Sequence, residues 1–529
     1  MHTITGTTGS DTLIGTIGQD LFLPLGVQTG GPADSMSGLA GSDTYDLARG
    51  TPADATRSFV IDDRGGSDGI DRVLGPGALV QSASLGYLGF AGAERRGDDL
   101  ILTTPGKPYR YHDPAKPSYQ VTIIDHYGDG TIERFQAGAI VYRLPTGALG
   151  TRHADIMAGS RLDDDLNGRG GDDYITGNRG ADHLSGGGGA DYLLGGTGAD
   201  LLEAGSGDDH VYAGSGRDTV LAGAGSDYVQ GQDGNDVIRG QGGNDLLYGQ
   251  DGRDRLFGGN GQDLLDGGAD DDRLQGGQGG DTYRYGYDVD ALGYTAGGHD
   301  IIFDDGEAPS YNDFDRIELF GYYGPSSGGS AEAYARLAFL RDGLDMVMTS
   351  DGSAGSIRVI DQFGSPDHAI EELHFNAGYW TPLRFKILDG ARTDLGDDRA
   401  YRFGEGGEWN EIMFGTDGAD TVFGNSGVNF IWLGDGADTL IYKEADPNTL
   451  GGTGGGACID IVMDFDATED RMDFTEIKGL VFADLVISTA ADGDASVSWT
   501  SGTWEISNIY IELRGVSATD LTANNFEFG

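Results

Sequence analysis

Fifteen consecutive nine-residue units run without insertion from Gly150 to Arg284, and they constrain the fold more than any other feature. A typical unit reads GNRGADHLS, beginning at Gly177. The sixth position is aspartate in all fifteen units, and the eighth is always apolar or aromatic, as in Ile238. An acidic flexible linker would not keep an apolar residue at every eighth position. The repeat therefore predicts stacked units that bury these side chains against one another.

Each unit combines a turn with a short strand. Six positions rich in Gly and Asp favour a tight turn, because glycine adopts the required backbone angles at little cost. The last three positions, such as Tyr192-Leu193-Leu194, predict a strand whose eighth-position side chain points inward. Two units make one coil of eighteen residues, and successive coils stack as parallel strands about 4.8 Å apart. The predicted fold class is all-β, a parallel β-roll with flanking β-rich modules.

The sixth-position aspartates are the candidate metal ligands. Units two apart in sequence lie above one another, so the aspartates form one row on each edge of the roll. Carboxylates stacked at strand spacing need cations between them, and Ca²⁺ suits such a site because it accepts six to eight oxygen ligands. The predicted ligands are Asp155, Asp164, Asp173, Asp182, Asp191, Asp200, Asp209, Asp218, Asp227, Asp236, Asp245, Asp254, Asp263, Asp272 and Asp281.

This nonapeptide resembles the calcium-binding repeat of the RTX (repeats-in-toxin) proteins. The resemblance implies several Ca²⁺ ions, each shared by an aspartate of one turn and carbonyl groups of stacked turns. Shorter clusters of the repeat lie near both ends of the sequence, and in the last of them Asn429 replaces the aspartate, which predicts a weak or absent site there. These clusters add the candidate ligands Asp11, Asp20, Asp43, Asp420 and Asp438.

A duplicated segment lies on either side of the fifteen units. The first copy contains GIDRVLG from Gly69 and VTIIDHY from Val121, and the second contains DFDRIELFG from Asp313 and IRVIDQF from Ile357. Both copies resemble the haemolysin-type calcium-binding-related module. The predicted organisation is short N-terminal repeats (1–48), a first β-rich module (49–147), the central roll (148–286), a second module (287–383), short C-terminal repeats (384–442) and a C-terminal cap (443–529).

The C-terminal sequence carries a second resemblance. IDIVMDFDATEDRMDF, from Ile459, resembles the terminal cap of serralysin-type rolls, which implies an uncleaved type I secretion signal. The type I secretion apparatus is therefore an expected partner, and the expected location is extracellular or at the cell surface. The first residues lack the basic and apolar regions of a cleaved signal peptide, so we do not expect one. The single Cys458 excludes intramolecular disulfides.

The charge of the chain excludes other partners. Its 86 acidic and 34 basic residues give a formal charge of −52, which repels nucleic acids and anionic membrane surfaces. No stretch approaches the length of a transmembrane helix. We therefore expect neither nucleic-acid binding nor membrane insertion.

The sequence gives little support for catalysis. It contains no H-E-x-x-H motif, and its two G-x-S-x-G matches, Gly65–Gly69 and Gly324–Gly328, are expected by chance among 95 glycines. We therefore expect no catalytic residues and an architectural role as a surface-layer, matrix or adhesive subunit that self-associates or binds cell-surface polysaccharide. The alternatives are an RTX-type extracellular enzyme acting on polysaccharide and a non-catalytic, soluble calcium-binding module.

Overall fold

The computed structural model describes strands alone before residue 147, and after it residues 147–286, 298–304, 315–320, 337–342, 345–350, 356–360, 362, 370, 372–376, 383–389, 410–415, 418–423, 427–443, 458–477, 480–490, 493–499 and 509–529. The secondary structure of these residues is β-strand, apart from two 3-10 turns, Phe482–Asp484 and Ala523–Asn525. The predicted all-β class is confirmed. Within the same residues, no helix has the length and apolar character needed to cross a membrane.

The chain forms two compact units. Unit 1 contains Met1–Asp281 and Val289–Glu307, and unit 2 contains Thr282–Asp288 and Ala308–Gly529. The finer division into six segments stays a prediction.

The N-terminal part of unit 1 contains twelve described strands in two sheets. In one sheet the order is β1-β3-β5-β7-β11-β12, and in the other it is β2-β4-β6-β10-β9-β8. The strands are β1 (His2–Thr5), β2 (Thr12–Ile14), β3 (Asp20–Leu23), β4 (Asp34–Ser37), β5 (Thr44–Asp46), β6 (Arg57–Asp62), β7 (Arg72–Leu74), β8 (Gly92–Arg96), β9 (Asp99–Pro105), β10 (Pro117–Ile124), β11 (Arg134–Ala137) and β12 (Ile140–Arg143).

The nonapeptide units form a parallel β-roll, as predicted. Strands of alternate units pair at a register of eighteen residues, so that Leu193 lies beside Val211 and Leu202 beside Val220. The next sixteen strands are β13 (Ile156–Ala158), β14 (Asp165–Asn167), β15 (Tyr174–Arg179), β16 (His183–Gly188), β17 (Tyr192–Thr197), β18 (Leu201–Ser206), β19 (His210–Gly216), β20 (Thr219–Ala224), β21 (Tyr228–Gly234), β22 (Val237–Gly242), β23 (Leu246–Asp251), β24 (Arg255–Asn260), β25 (Leu264–Ala269), β26 (Arg273–Gln278), β27 (Thr282–Gly286) and β28 (His299–Ile302).

The eighth-position side chains form the interior of the roll. All fifteen are buried, from Met157 to Tyr283, and most of those between them are fully shielded from water. In thirteen of the fifteen units, from Arg169 to Gly279, the residues at the second and fourth positions have positive φ. Gly198, at a fourth position, has a φ of 139°. A Cβ atom added to Gly198 would lie 1.6 Å from the carbonyl oxygen of Gly180 in the coil below, so a side chain would collide with it.

Unit 2 repeats parallel coils and ends in a more irregular sheet. β29 pairs in parallel with β27 and β33, and β37 with β35 and β39, while β36, β38, β40 and β44 form a four-stranded sheet. The strands are β29 (Arg316–Phe320), β30 (Leu337–Asp342), β31 (Asp345–Ser350), β32 (Ser356–Val359), β33 (Glu372–Asn376), β34 (Leu383–Asp389), β35 (Asn410–Phe414), β36 (Thr421–Phe423), β37 (Gly427–Trp432), β38 (Thr439–Lys443), β39 (Cys458–Val462), β40 (Arg471–Glu476), β41 (Val486–Thr489), β42 (Ala495–Trp499), β43 (Ile509–Leu513) and β44 (Phe526–Phe528).

The two copies of the duplicated segment have the same strand pairing. In the first copy, β9 is antiparallel to β8 and β10, and β11 is parallel to β7 and antiparallel to β12. In the second copy, β31 is antiparallel to β30 and β32, and β33 is parallel to β29 and antiparallel to β34. The internal similarity seen in the sequence is therefore a similarity of topology as well.

Candidate metal sites

Each sixth-position aspartate of the roll is tied to the aspartate of the neighbouring coil. The Oδ1 atom of Asp191 accepts a hydrogen bond from the backbone N–H of Asp173 over 2.8 Å, and Asp209 accepts one from Asp191 over 2.7 Å. The same contact, at 2.7–2.9 Å, joins successive aspartates from Asp155 to Asp281. The strand register of eighteen residues thus forms two aspartate ladders, as the repeat predicted.

The second carboxylate oxygen of these aspartates has a different environment. From Asp173 to Asp272, the Oδ2 atoms of twelve consecutive ladder aspartates are buried and have no hydrogen-bond partner. All twelve residues are at most 3% exposed. A buried carboxylate oxygen without a donor carries a large desolvation cost, so this arrangement calls for a cation.

The space beside each Oδ2 atom is small and lined by oxygen. A Cβ atom added to Gly231 would lie 2.6 Å from Oδ2 of Asp236 and 2.8 Å from the carbonyl oxygen of Gly249. A carboxylate of one unit and a carbonyl of the next coil therefore converge over the first-position glycine. Carboxylate and carbonyl oxygens are the donor set that Ca²⁺ prefers, so the residues fit this ion. In three units the first position is alanine instead of glycine, and the buried methyl groups of Ala204, Ala213 and Ala222 occupy part of this space.

The electrostatics of the ladders favour the same conclusion. The pKa of Asp173 is raised to about 9, mainly by burial and to a smaller extent by the neighbouring carboxylates of Asp191 and Asp155. Burial likewise raises the pKa of Asp209 to about 8 and that of Asp254 to about 7. Carboxylates with such values are costly to ionise without a counter-ion, and a bound divalent cation would remove that cost.

The first two units differ from the rest. The Oδ2 atom of Asp155 accepts a hydrogen bond from the N–H of Thr151 over 2.5 Å, and that of Asp164 accepts bonds from the N–H and hydroxyl of Ser160 over 2.6 and 2.9 Å. These are the units in which His153 and Leu162 replace the fourth-position glycine. Among the predicted ligands, Asp155 and Asp164 therefore already have hydrogen-bond donors in the place of an ion.

One ladder continues beyond the regular repeats. The backbone N–H of Asp272 donates to Oδ1 of Asp300 over 3.0 Å, although 28 residues separate the two instead of eighteen. Burial raises the pKa of Asp300 to about 7. Asp300 was not among the predicted ligands, but the signal was present: it is followed by Ile301-Ile302, and Ile302 is buried like an eighth-position residue.

Unit 2 contains a shorter ladder. The N–H of Asp420 donates to Oδ1 of Asp438 over 2.8 Å, and the N–H of Asp438 donates to Oδ1 of Asp470 over 2.9 Å. Oδ2 of Asp438 is buried without a hydrogen-bond partner, and burial raises the pKa of this carboxyl to about 6. The structure thus brings together the predicted residues Asp420 and Asp438, and adds Asp470, which sequence reasoning missed.

Asn429 takes part in a contact of another kind. Its Nδ2 atom donates to Oδ1 of Asp460 over 2.8 Å, and both side chains are fully buried. In the regular units, two aspartate carboxylates of adjacent coils lie close together. Here the amide N–H of Asn429 takes the place of one of them and directs a partial positive charge at the carboxylate of Asp460. This contact gives a physical reason for the predicted weak or absent site at Asn429, which stays a prediction.

Of the three predicted metal ligands near the N-terminus, only Asp20 lies among the residues that the structure describes. Asp20 is the first residue of β3, where it lies beside His2 of β1. Asp11 and Asp43 lie outside the described residues. Their assignment as metal ligands stays a prediction.

Comparisons with known proteins agree with this geometry. A family model described as the RTX calcium-binding nonapeptide repeat matches residues 3–23, 149–184, 158–193, 185–220, 194–229, 221–256, 248–283 and 405–440. A search of curated proteins found no match. Among solved structures, the chain matches the extracellular lipase LipA from Serratia marcescens with 14% identity and a TM-score of 0.17. The match covers 60% of this chain and 40% of the lipase, so this chain spans less than half of the lipase's length.

The likeness to the lipase is too weak to carry an argument, whereas the repeat match and the two ladders rest on the same residues. The family match covers the whole central roll and short segments near both ends. Repeats of this kind are typical of secreted proteins that bind several Ca²⁺ ions. The chain therefore contains multiple copies of the RTX calcium-binding nonapeptide repeat.

Proposed function

We propose that this chain is a secreted structural protein, a surface-layer, matrix or adhesive subunit that folds and assembles when it meets extracellular calcium. The observation that carries the proposal is the row of buried Oδ2 atoms from Asp173 to Asp272. These carboxylates make the roll dependent on cations, and millimolar calcium is available outside cells. The chain should therefore fold after its export, when it meets extracellular calcium.

The absence of catalytic motifs from the sequence supports a structural role over an enzymatic one. The fifteen units, the two copies of the duplicated segment and the cap account for most of the 529 residues. The proposed partners are calcium, the type I secretion apparatus, and either further copies of the chain or a cell-surface polysaccharide. We propose no catalytic residue.

Electron microscopy of the purified chain tests this role directly. The protein is imaged in 5 mM calcium, roughly the concentration at which extracellular modules are saturated, and in excess chelator, with sedimentation measured on the same samples. A structural subunit should form sheets or fibres in calcium and none in chelator. A monomer in both conditions would overturn the assembly role and favour the soluble calcium-binding module. Turnover of a polysaccharide by the calcium-loaded chain would favour the enzyme.

A further inference from the structure

One outer face of the roll in unit 1 has an unusual composition. It is formed by the seventh and ninth positions of alternate units on β17, β19, β21 and β23. Four tyrosines run along it, and we call them the tyrosine stripe: Tyr192, Tyr212, Tyr228 and Tyr248. The positions between them are taken by Leu194, His210, Gln230 and Leu246, of which Leu246 is 40% exposed.

The rings of the tyrosine stripe form a continuous zigzag. Successive ring centroids are 5.3, 6.0 and 5.5 Å apart, and successive ring planes are tilted by 38°, 52° and 46°. Tyr174 and Tyr192 differ, because their rings stack within 7° of parallel and cover each other's faces. The four tyrosines are half-buried, so part of each residue is open to solvent. The amide of Gln230 donates a hydrogen bond to the hydroxyl of Tyr228 and so helps to orient this ring.

None of the eight positions of this face is Asp, Glu, Lys or Arg, on a chain whose net charge is −52, and the nearest carboxylate in the next strand is that of Asp266, beside Tyr248. The face on the other sheet is different, since it exposes Arg239, Arg255 and Arg273. An anionic partner would therefore be repelled by the chain as a whole, and any local attraction would come from the arginines of the other face. Charge complementarity selects an uncharged partner for the tyrosine stripe.

The size of the face argues against a second copy of the chain. Four strands at about 4.8 Å spacing and two columns of side chains give roughly 200–300 Å². A stable interface between proteins needs about 800 Å² from each partner. A narrow, linear polymer could bind along a face of this small area, because it contacts only a stripe one or two side chains wide.

We propose that the tyrosine stripe binds a neutral, linear polysaccharide that lies along the roll. The C–H faces of pyranose rings pack on aromatic rings, and one sugar of an extended glycan advances by about the spacing of one strand. Tyrosine hydroxyls and Gln230 would accept and donate hydrogen bonds to the sugar hydroxyls. This inference rests on the proposed extracellular role and names the partner class that such a protein would hold.

Electrophoresis of the calcium-loaded full chain in native gels containing hydroxyethylcellulose or galactomannan tests the proposal. The wild-type chain should be retarded in these gels and not in gels containing anionic polygalacturonate. The variant Tyr212→Leu/Tyr248→Leu should bind the neutral polymers about tenfold more weakly, since two aromatic contacts are lost. Phe257→Leu is the matched control, because Phe257 is a half-buried aromatic residue at a ninth position of the other sheet, and its retardation should be unchanged.

Circular dichroism in calcium separates binding from folding, because both variants should give the wild-type β signal. The proposal is overturned if the folded wild-type chain is not retarded by either neutral polymer, or if the double tyrosine variant is retarded equally. A calcium-dependent dimer that the tyrosine substitutions abolish would assign the face to a second copy instead. Loss of polysaccharide binding does not bear on calcium-dependent assembly, which electron microscopy measures separately.

Discussion

The N–H of Asp209 donates to Oδ1 of Asp227 over 2.8 Å, while Oδ2 of Asp227 is buried with no hydrogen-bond partner. Each of the twelve ladder aspartates from Asp173 to Asp272 thus has two roles, since one oxygen holds adjacent coils together and the other is left for a cation. The hydrogen bond to the first oxygen forms whenever the backbone is folded correctly. Burial of the second oxygen without a donor raises the free energy of the folded state until an ion is bound.

Calcium should drive folding of the roll. In chelator the buried carboxylates repel one another and the turns cannot close, so we expect a largely unfolded chain. Circular dichroism should show a cooperative gain of β signal at roughly 0.1–1 mM calcium, the range of extracellular modules. Magnesium at the same concentration is the control, and it should have less effect because it demands a stricter octahedral geometry. An unchanged spectrum on removal of calcium would contradict this prediction.

Loss of one ligand should cost less than a charge placed in the core. Asp227→Ala removes one carboxylate from a ladder whose other members still bind ions, and we expect a loss of about 1–2 kcal/mol in the free energy of unfolding. Ile238 is fully buried, so Ile238→Asp should cost about 3 kcal/mol or more. Melting temperatures measured in saturating calcium compare the two. The prediction is wrong if Asp227→Ala lowers the melting temperature more than Ile238→Asp.

The two classes of ladder aspartate should respond differently to amide substitution. Asp155 already receives the N–H of Thr151 at its second oxygen, whereas Oδ2 of Asp191 has no hydrogen-bond partner. Asp191→Asn should therefore lower the number of calcium ions bound or weaken their binding, and Asp155→Asn should leave both unchanged. Calcium titration by calorimetry measures both quantities. Equal effects of the two substitutions would show that the first unit is also a calcium site.

The calcium-free roll should become more stable as the pH falls. Burial raises the pKa of the twelve ladder carboxyls from Asp173 to Asp272 above the ordinary value of 3.8, to about 6 in Asp200 and to about 9 in Asp272. Because the folded values are raised, their stabilising contribution is fully present below the ordinary pKa. It is lost as the pH rises through the folded values, between about 6 and 9.

In chelator we therefore expect more β signal at pH 5.5 than at pH 8. In calcium the trend should reverse, because protons compete with the ion for the same oxygens. Sedimentation at each pH distinguishes a folded monomer from aggregate, since the sequence pI is about 4.1. A calcium-free chain with the same or less β signal at pH 5.5 would contradict the raised pKa values.

The regular part of this structure could be predicted from the sequence, because each unit contains all that its own coil requires. A period of nine places Asp191 directly below Asp209, independently of the rest of the chain. An apolar residue at the eighth position, such as Leu193, can be buried only in the interior of the roll. The signal weakens where the period is broken. Asp300 joins the ladder after a longer loop, and only the buried Ile302 marks its register.

The cap was harder to predict. Both carboxylate oxygens of Asp464 accept backbone hydrogen bonds, Oδ1 from Leu433 over 2.7 Å and Oδ2 from Gly434 over 3.0 Å. These contacts span about thirty residues, and no fixed spacing in the sequence indicates them. The different surroundings of Asp155 and Asp164 were also beyond a periodic argument, since they depend on the Thr151 and Ser160 donors at the second position.

The C-terminal segment should be required for both export and orderly folding. Residues before Ile459 and after it share one apolar core in unit 2, where Leu440 and Tyr442 pack with Phe474 and Ile511. Deletion of residues 459–529 would expose that core and the edges of β37 and β38, which pair with β39 and β40. An exposed apolar core beside unpaired strand edges invites aggregation.

We expect the truncated chain not to be secreted by its native host and, when purified, to fold slowly in calcium or to aggregate. The full-length variant Phe474→Ala separates the two roles, because it keeps the C-terminal sequence but leaves a cavity among Tyr442, Phe526 and Phe528, the rings that stack on Phe474. It should be secreted normally and be less stable by about 3–5 kcal/mol. Secretion of the truncated chain would place the export signal elsewhere, and its fast, clean folding in calcium would show that the coils do not need this cover.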